Sequence, residues 1–411
     1  MIFKTFNWNF LMHQLCGWSA VALLFAAPFS RSLYILSGLL FSISWFAQKD
    51  LRVKLKQIMA WPIAKPALAI SIMVLLWATW SPAPFKEILA NLKVYSKMLM
   101  LLMLASTLTD VKWRARAWWG LMLGMALVLG STFANIFIDL PWSMTKNQGL
   151  GADHSVFVEY VSQSVMTSVF LAFTLQRLIS SKNTKLMIFW ACVSAMALFT
   201  ILFLLSGRSG LIACTVVICV SAFLYIPKHR QWQSLFLILS ALTLFVLISP
   251  LMLSRVQQAY NDIVNYQSFD ASSLGLRMDM WMLALKSFVQ HPLFGTGVGT
   301  YPQIAASHFN TLTAAQLVFA VIHPHNQYLF FAMEYGLVGL LAFLWFMWQL
   351  LNTAYISEMP ERNILFAVIA VIAVDSLYNV PLWYRAESYF FYAVLALLVA
   401  SNQKSKDKQT I

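Results

Sequence analysis

The sequence predicts an all-α polytopic membrane protein, with residues 1–411 forming a single membrane domain of about twelve transmembrane helices. The first observation is composition: 60% of the residues are hydrophobic and 10% are charged, whereas soluble domains carry about 25% charged residues. A water-facing fold cannot hide so much apolar surface. The net charge of +13 lies mainly in short segments between apolar stretches, which is typical of membrane topology and argues against nucleic acid as a partner.

The second observation is the set of apolar stretches, since a spanning helix needs about 20 mostly apolar residues. Only one basic residue, Lys4, precedes the apolar stretch nearest the N-terminus, and this stretch lacks a small-x-small cleavage site. We therefore expect a membrane span there rather than a signal peptide. The twelve predicted spans cover residues 11–29, 31–47, 63–80, 94–109, 117–138, 156–176, 186–206, 210–226, 233–252, 327–351, 363–380 and 384–400.

The third observation is charge alternation. With twelve spans, basic residues concentrate in the even-numbered loops and at the C-terminus, so all of them lie on one side of the membrane. Basic residues are retained on the cytoplasmic side, so we expect both termini in the cytoplasm. The residues concerned are Lys49, Arg52, Lys54, Lys56, Lys112, Arg114, Arg116, Arg177, Lys182, Lys185, Lys228, Arg230, Lys404, Lys406 and Lys408.

The odd-numbered loops then face outward, and the longest of them, residues 253–326, separates the ninth and tenth spans. Its hydrophobic periodicity over 276–288 predicts an amphipathic helix that could lie on the membrane surface and that ends at His291-Pro292. Residues 294–302 predict a tight loop. The Gly295-x-Gly297-x-Gly299 run follows no strand, so it does not indicate a nucleotide-binding loop.

His325 and Asn326 stand where the tenth span meets water. Asn326 suits the N-cap of that helix, which leaves His325 available for chemistry. An imidazole titrates nearest physiological pH, so a histidine here fits a base that removes a proton from a hydroxyl, and activity should fall as pH drops through its titration range. His323, two residues earlier, and Asn326 itself are candidate supporting or substrate-contacting residues.

Arginines near glycine turns on the outer side predict an anion site. Arg208 lies within Ser206-Gly207-Arg208-Ser209-Gly210, and Arg277 begins the amphipathic helix. A guanidinium presents a planar fork of donors that matches phosphate oxygens, so both are candidate ligands of a diphosphate. The alternative for Arg208 is capping or contact with lipid head groups. Arg385 is a weaker candidate, for a supporting or substrate-contacting role, because pairing with Glu387 or contact with lipid head groups is an adequate structural account.

Other polar residues give weaker indications. Glu334 and Asp375 lie inside predicted spans, where a carboxylate needs a partner. The four cysteines lack metal-ligand spacing and suit small core positions. No outer Asp-x-Asp pair or carboxylate cluster suggests a divalent metal, so we expect neither a metal nor another cofactor.

The run from His325-Asn326 through nine residues to Gly336-x-x-Gly339 resembles the O-antigen ligase superfamily of bacterial envelope enzymes. The helix at Arg277, the turn at His291 and the long outer loop are also similar, so the resemblance covers about 200–350 in detail. It implies a glycosyltransferase of the C type with a periplasmic active site in the inner membrane of a Gram-negative bacterium. It also implies His325 as the catalytic residue and Arg208 and Arg277 as ligands of the donor diphosphate.

The superfamily uses glycan linked to undecaprenyl diphosphate, and the ligases transfer it to lipid A–core without a metal and with inversion. We favour the ligase because no large soluble domain follows the last span. An O-antigen polymerase and a protein O-oligosaccharyltransferase are alternatives within the superfamily. A lipid-linked glycan transporter is an alternative of another class, but repeated halves and broken spans around midplane charges are not evident.

Overall fold

The structure, a computed structural model, describes residues 8–146, 148–248, 250–264, 266 and 273–402, and within these ranges it contains α-helices and no strands. A π-helical segment, Thr200–Leu204, directly follows the eighth α-helix, and a short 3₁₀ turn, Lys228–Arg230, precedes the tenth. The helices are α1 (Trp8–Ala26), α2 (Arg31–Phe46), α3 (Leu51–Met59), α4 (Ala64–Ala78), α5 (Phe85–Leu108), α6 (Val111–Ala134), α7 (Tyr160–Ser180), α8 (Thr184–Phe199), α9 (Arg208–Tyr225), α10 (Gln231–Ile248), α11 (Pro250–Val264), α12 (Ser273–Gln290), α13 (Tyr301–His308), α14 (Ala314–Ala320), α15 (Gln327–Ile356), α16 (Glu361–Asp375) and α17 (Arg385–Asn402).

A helix lies in each of the twelve predicted apolar stretches, namely α1, α2, α4 to α10 and α15 to α17. By length and composition, six helices of the described chain could cross a membrane: α1, α5, α6, α8 with its π extension, α9 and α15. A seventh span results if α3 and α4, bent by 100° relative to each other, form one broken span. The all-helical, multi-pass character is therefore confirmed, while the count of twelve and the orientation stay predictions.

Some predicted boundaries are wrong. Helix α6 begins at Val111, so Lys112, Arg114 and Arg116 lie in its first turns rather than in a loop. The carboxylate of Asp110 caps this start, accepting from the backbone N–H of Lys112 at 2.8 Å. Long basic side chains tolerate such positions because their charged ends reach water. Arg52, Lys54 and Lys56 likewise lie on α3, not in a loop, and the lysines at 4, 404, 406 and 408 lie outside the described residues.

The ninth predicted span is also shorter than expected. It was expected to reach residue 252, but α10 ends at Ile248 and α11 begins at Pro250. Proline cannot donate the backbone hydrogen bond that a continuing helix needs, but it fits the first position of a new one. The loop predicted over 253–326 therefore opens inside α11 and includes α12, α13 and α14, of which the sequence predicted only α12.

The centre of the helical core is formed by α7, α16 and α17. Helix α17 is buried from Phe390 to Ala400 and packs against α5, whereas α7 and α16 pack against α9. A second, smaller core lies where α12, α13 and α14 pack onto the start of α15, around Met280, Tyr301 and Phe330. The buried face of the predicted amphipathic helix therefore contacts protein, where the sequence suggested a membrane surface.

Helix α15, which covers the tenth predicted span, is kinked at Gly336, and the turn after α12 docks at this kink. Gly336 has a φ of 68°, in the left-handed region that favours glycine. The break frees backbone groups of α15, and the turn after α12 pairs with them: Leu337 N–H donates to the carbonyl of Pro292 at 2.8 Å, and Thr296 N–H donates to that of Met333 at 2.9 Å. The Gly336 position of the sequence motif thus ties the turn at 291–297 to α15.

Gly336→Ala should strongly destabilise the protein. Its Cβ would lie 2.3 Å from the carbonyl oxygen of Leu293, and the positive φ adds strain, so we expect a loss of at least about 2 kcal/mol. The measurement is thermal unfolding in detergent, with Gly130→Ala as the control because a Cβ there meets nothing within 4 Å. Equal melting temperatures for the two variants would contradict the role assigned to the kink.

Candidate active site

The candidate site begins with the backbone of the His325-Asn326 pair. Asn326 is the N-cap of α15: its Oδ1 accepts from Leu329 N–H at 2.9 Å, and its Nδ2 donates to the carbonyl of Leu377 at 2.9 Å. The predicted N-cap role is therefore confirmed. His325 has a φ of 49°, which is uncommon for a residue other than glycine. Such backbone strain persists where surrounding contacts fix it, and it concentrates at functional sites.

The His325 side chain is held in a fixed orientation. Its ring stacks on Phe319 of α14, with centroids 4.3 Å apart, and hydrogen-bonds to the Phe319 backbone. The indole of Trp281 donates to the His325 carbonyl at 3.3 Å. The remaining ring nitrogen, Nε2, is enclosed, and no hydrogen-bond partner for it lies among the described residues. A buried polar atom normally has a partner, so the unmet hydrogen-bonding capacity of this nitrogen makes His325 a candidate site residue.

His323 is buried beside His325 and has a different set of contacts. Its Nδ1 accepts a hydrogen bond from the backbone N–H of His325 at 3.2 Å, and the two rings lie 4.2 Å apart. The rings of Trp383 and Tyr384 meet its ring edge-on, with ring centroids 5.4 and 5.8 Å away. His323 therefore supports the His325 backbone rather than opening into the same space.

Both histidines are held in the neutral form. Burial, and then the positive charge of Arg277, lower the pKa of His323 from 6.5 to about 3. Burial, the neighbouring His323 and Arg277 hold the pKa of His325 well below 6.5, against the opposing hydrogen bond to Phe319. A neutral imidazole with an unpartnered nitrogen can accept a proton.

The two predicted arginines come together next to these histidines. Arg277 lies one turn inside α12, and its guanidinium is 5.9 Å from the Phe319 ring that stacks on His325. Burial and the nearby charge of Arg208 lower the pKa of Arg277. Its Nε is enclosed without a hydrogen-bond partner in the part of the chain that the structure describes. The positive charges of Arg208 and Arg277 repel each other, so a multiply charged anion would stabilise both.

Arg208 is the first residue of α9, where the sequence placed it in a turn. The start of α9 lies close to α7: a Cβ at Gly210 would be 2.2 Å from the Cβ of Ser164, so only glycine allows this approach. The segment before Arg208 is held by Asp153, whose Oδ2 accepts from the N–H and hydroxyl of Ser206 at 3.0 and 2.7 Å. Arg208 therefore begins a helix whose start is fixed by these contacts, and the macrodipole favours an anion at that end.

The family model described as O-antigen ligase matches residues 192–344, which include Arg208, Arg277, His323 and the His325-Asn326 pair. The chain is 23% identical over 198 residues to the O-antigen ligase of Escherichia coli strain K12, covering 46% of each chain. The chain is therefore similar to the O-antigen ligase family over residues 192–344. The chain is also 26% identical over 211 residues to an uncharacterized protein of Haemophilus influenzae, and this match covers 47% of this chain and 53% of that one. The chain thus spans about half the length of the curated relatives it matches.

Buried carboxyl groups lie beside the part of the site that the O-antigen ligase model matches. The charge of Asp375, at the end of α16, acts on Arg277. Glu387 accepts from the hydroxyl of Ser162 at 3.0 Å and from Asn379 Nδ2 at 3.0 Å. Glu387 is buried and Arg385 exposed, and no salt bridge in the described ranges joins them. Glu387 therefore does not pair with Arg385 as expected, and it instead accepts hydrogen bonds from Ser162 and Asn379.

Two further carboxylates have structural roles. Glu334 Oε1 accepts from the backbone N–H of Tyr301, the first residue of α13, at 3.2 Å. Asp279 Oδ1 accepts from the hydroxyl of Tyr266 at 2.6 Å. Among the described residues, no group of three or more His, Cys, Asp or Glu side chains is placed to hold a metal ion.

Sequence reasoning missed two aromatic residues of the site, Phe319 and Trp383. Phe319 positions both His325 and Arg277, and Trp383 contacts His323. The chain contains 31 phenylalanines and 16 tryptophans, so an aromatic residue in a long loop or after an apolar stretch gives no distinctive signal. The only local indication is that Phe319 lies four residues before His323 and six before His325.

Proposed function

We propose that this chain is an O-antigen ligase that transfers glycan from undecaprenyl diphosphate to a hydroxyl of lipid A–core at the periplasmic face of the inner membrane. Similarity to the O-antigen ligase family supports glycan transfer of the ligase or polymerase type. The observation that carries the proposal is the unpartnered Nε2 of His325, near the charge of Arg277, on which the charge of Arg208 also acts. Membrane lipids surround the helices, and the polyprenyl tail of the donor lies among them.

In the proposed mechanism, Nε2 of His325 accepts the proton of the acceptor hydroxyl. The oxygen attacks the anomeric carbon as the bond from that carbon to the diphosphate oxygen breaks, so the configuration inverts. Undecaprenyl diphosphate leaves with the electron pair, and the guanidinium groups of Arg208 and Arg277 balance its charge. The imidazolium then loses its proton to water. His323 supports His325, Asn326 caps α15, and Arg385 is a candidate substrate-contacting residue.

Two arginines supply the charge balance in this mechanism, so we expect transfer to be independent of metal ions. Purified enzyme should keep its activity in excess EDTA. Loss of activity under chelation, restored by adding Mg²⁺ or Mn²⁺, would contradict the mechanism and redirect attention to Asp153, Asp279 and Glu387.

The environment of His325 also changes the expected pH dependence. Because its pKa is held well below 6.5, the base stays neutral through the ordinary histidine range. Transfer should therefore persist as pH falls to 6.5 and decline only at lower pH, unlike the decline that an ordinary histidine predicts. The measurement is kcat/KM against pH, and residual activity of Arg277→Gln should decline at higher pH than wild type. A wild-type midpoint at or above 6.5 would argue against His325 as the base.

A gene deletion separates the proposed ligase from its alternatives. Lipopolysaccharide and glycoproteins of the deletion strain are run on gels. Loss of every O-antigen band on core supports the ligase, whereas core carrying a single repeat indicates a polymerase. Loss of protein-linked glycan alone indicates an O-oligosaccharyltransferase. Lipid-linked glycan accumulating only on the cytoplasmic face indicates a transporter.

A further inference from the structure

Three basic residues from three helices gather at a second place, away from Arg208 and Arg277. Arg31 is the first residue of α2, Arg385 is the first residue of α17, and Lys97 lies within α5. The positive charges of both arginines act on the Lys97 ammonium group. Lys97 is only 7% exposed, whereas the arginines are exposed. In the predicted topology all three lie toward the outer side. We call this group the second basic cluster.

Side-chain contacts fix the geometry of the second basic cluster. The Lys97 ammonium donates to the hydroxyl of Ser388, one turn after Arg385 on α17. It also lies 4.3 Å from the centre of the Tyr389 ring. That ring stacks on Tyr34 of α2, with centroids 4.4 Å apart, and Tyr34 follows Arg31 by one turn. The aromatic pair therefore joins α2 to α17, and Lys97 lies against it.

In the described ranges no carboxylate forms an ion pair with these three residues. The salt bridges in the described ranges join Asp50 to His13 and to Lys54, and none reaches the second basic cluster. Arginine at the first position of a helix opposes the macrodipole, which favours anions there. A lysine buried in an apolar chain without an acidic partner is costly as well. The repulsion among the three positive charges, the macrodipoles of α2 and α17 and the burial of Lys97 all disfavour this arrangement. An anion bound between the starts of α2 and α17 would offset them.

The second basic cluster adjoins the histidine pair. Trp383, two residues before Arg385, contacts the ring of His323 at 5.4 Å. Its indole donates to Oδ1 of Asn91 at 2.7 Å, and Asn91 lies on α5, the helix that carries Lys97. Trp383 therefore connects α5 and the start of α17 to the histidines. The second basic cluster is therefore linked to the histidine pair through Trp383.

We propose that Arg31, Lys97 and Arg385 form a second anion site that binds a phosphate group of the acceptor glycolipid. This inference rests on the proposed function. It assigns the two charged sites to different substrates: the donor diphosphate to Arg208 and Arg277, and the acceptor phosphate to the second basic cluster. The guanidinium groups of Arg31 and Arg385 provide planar forks for phosphate oxygens, and the ammonium group of Lys97 provides a buried point charge.

The test measures acceptor binding, which needs no turnover. Full-length protein is placed in phosphatidylcholine nanodiscs and titrated with lipid A–core and with the same acceptor after enzymatic removal of its phosphates. Wild type should bind the phosphorylated form about 10- to 100-fold more tightly. Arg31→Gln, Arg385→Gln and Lys97→Met should each reduce that preference, and the double arginine variant should nearly abolish it. The matched control is Lys86→Gln, an exposed charge on the first turn of α5.

Each alternative outcome has a distinct meaning. Equal binding of both acceptor forms by wild type overturns the second anion site and leaves the proposed function intact. If wild type binds neither acceptor form, lipid A–core is not the acceptor, and the second anion site proposed for its phosphate is overturned as well. If phosphatidylglycerol in the nanodisc competes with the acceptor phosphate, the cluster binds lipid head groups instead. Lys97→Met keeps a side chain of similar length without a buried charge, so loss of folding in that variant also contradicts the account.

Discussion

Replacing His325 with alanine should reduce glycan transfer by about 10²- to 10⁴-fold while the protein stays folded and inserted. The acceptor hydroxyl then has no positioned base, because the other nearby imidazole, His323, uses its Nδ1 to accept from the backbone. The measurement is transfer by purified protein from a defined lipid-diphosphate donor, normalised to protein that elutes as a single species.

Two histidine variants sharpen this result. His308→Ala is the matched control, since His308 is exposed on α13 in the same long loop and should keep near wild-type activity. His323→Ala should lose less activity than His325→Ala, because it removes a support and not the base. Wild-type activity in His325→Ala would reject its catalytic role. A larger loss in His323→Ala would move that role to His323.

Arg208→Ala and Arg277→Ala should each reduce transfer by about 10²- to 10³-fold, because each removes a charge that balances the leaving diphosphate. Arg→Lys should restore little, since an ammonium cannot reproduce two parallel hydrogen bonds to phosphate oxygens. These variants should weaken binding of the undecaprenyl diphosphate-linked donor more than binding of the acceptor. Lys286→Ala is the control, because Lys286 is exposed on α12, the helix of Arg277.

The opposite pattern would contradict this assignment. If the arginine variants bound donor normally and lost acceptor instead, Arg208 and Arg277 would belong to the acceptor site. The division of charge between the two substrates would then be reversed, and the second basic cluster would be the candidate for the donor.

The parts of the site with local sequence signals were predictable. Asn326 was predicted as an N-cap, and it caps α15 because a short amide side chain at that place reaches the third backbone N–H. Arg208 and Arg277, far apart in sequence, were placed on one side by charge alternation, and the structure brings them into electrostatic contact. Periodicity predicted the helix of Arg277, observed as Ser273–Gln290.

The parts that depend on contacts between distant elements were not predictable. The stacking of Phe319 on His325 requires α14, a seven-residue helix with too little periodicity to recognise. Gly336 belongs to the motif, but its left-handed conformation follows from the docking of residues 292–297, which no local pattern encodes. Several basic residues were placed in loops, although apolar helices such as α6 continue through them. The second basic cluster needs three helix positions that only tertiary structure brings together.

The most direct test of the account is reconstitution with three purified components: this chain, glycan linked to undecaprenyl diphosphate, and lipid A–core. The reaction is run in excess EDTA, and products are separated by gel and mass spectrometry. The account predicts glycan joined to lipid A–core through an inverted anomeric linkage, release of undecaprenyl diphosphate, and no product with His325→Ala. Glycan-extended donor without modified lipid A–core, or wild-type yield from His325→Ala, would contradict it.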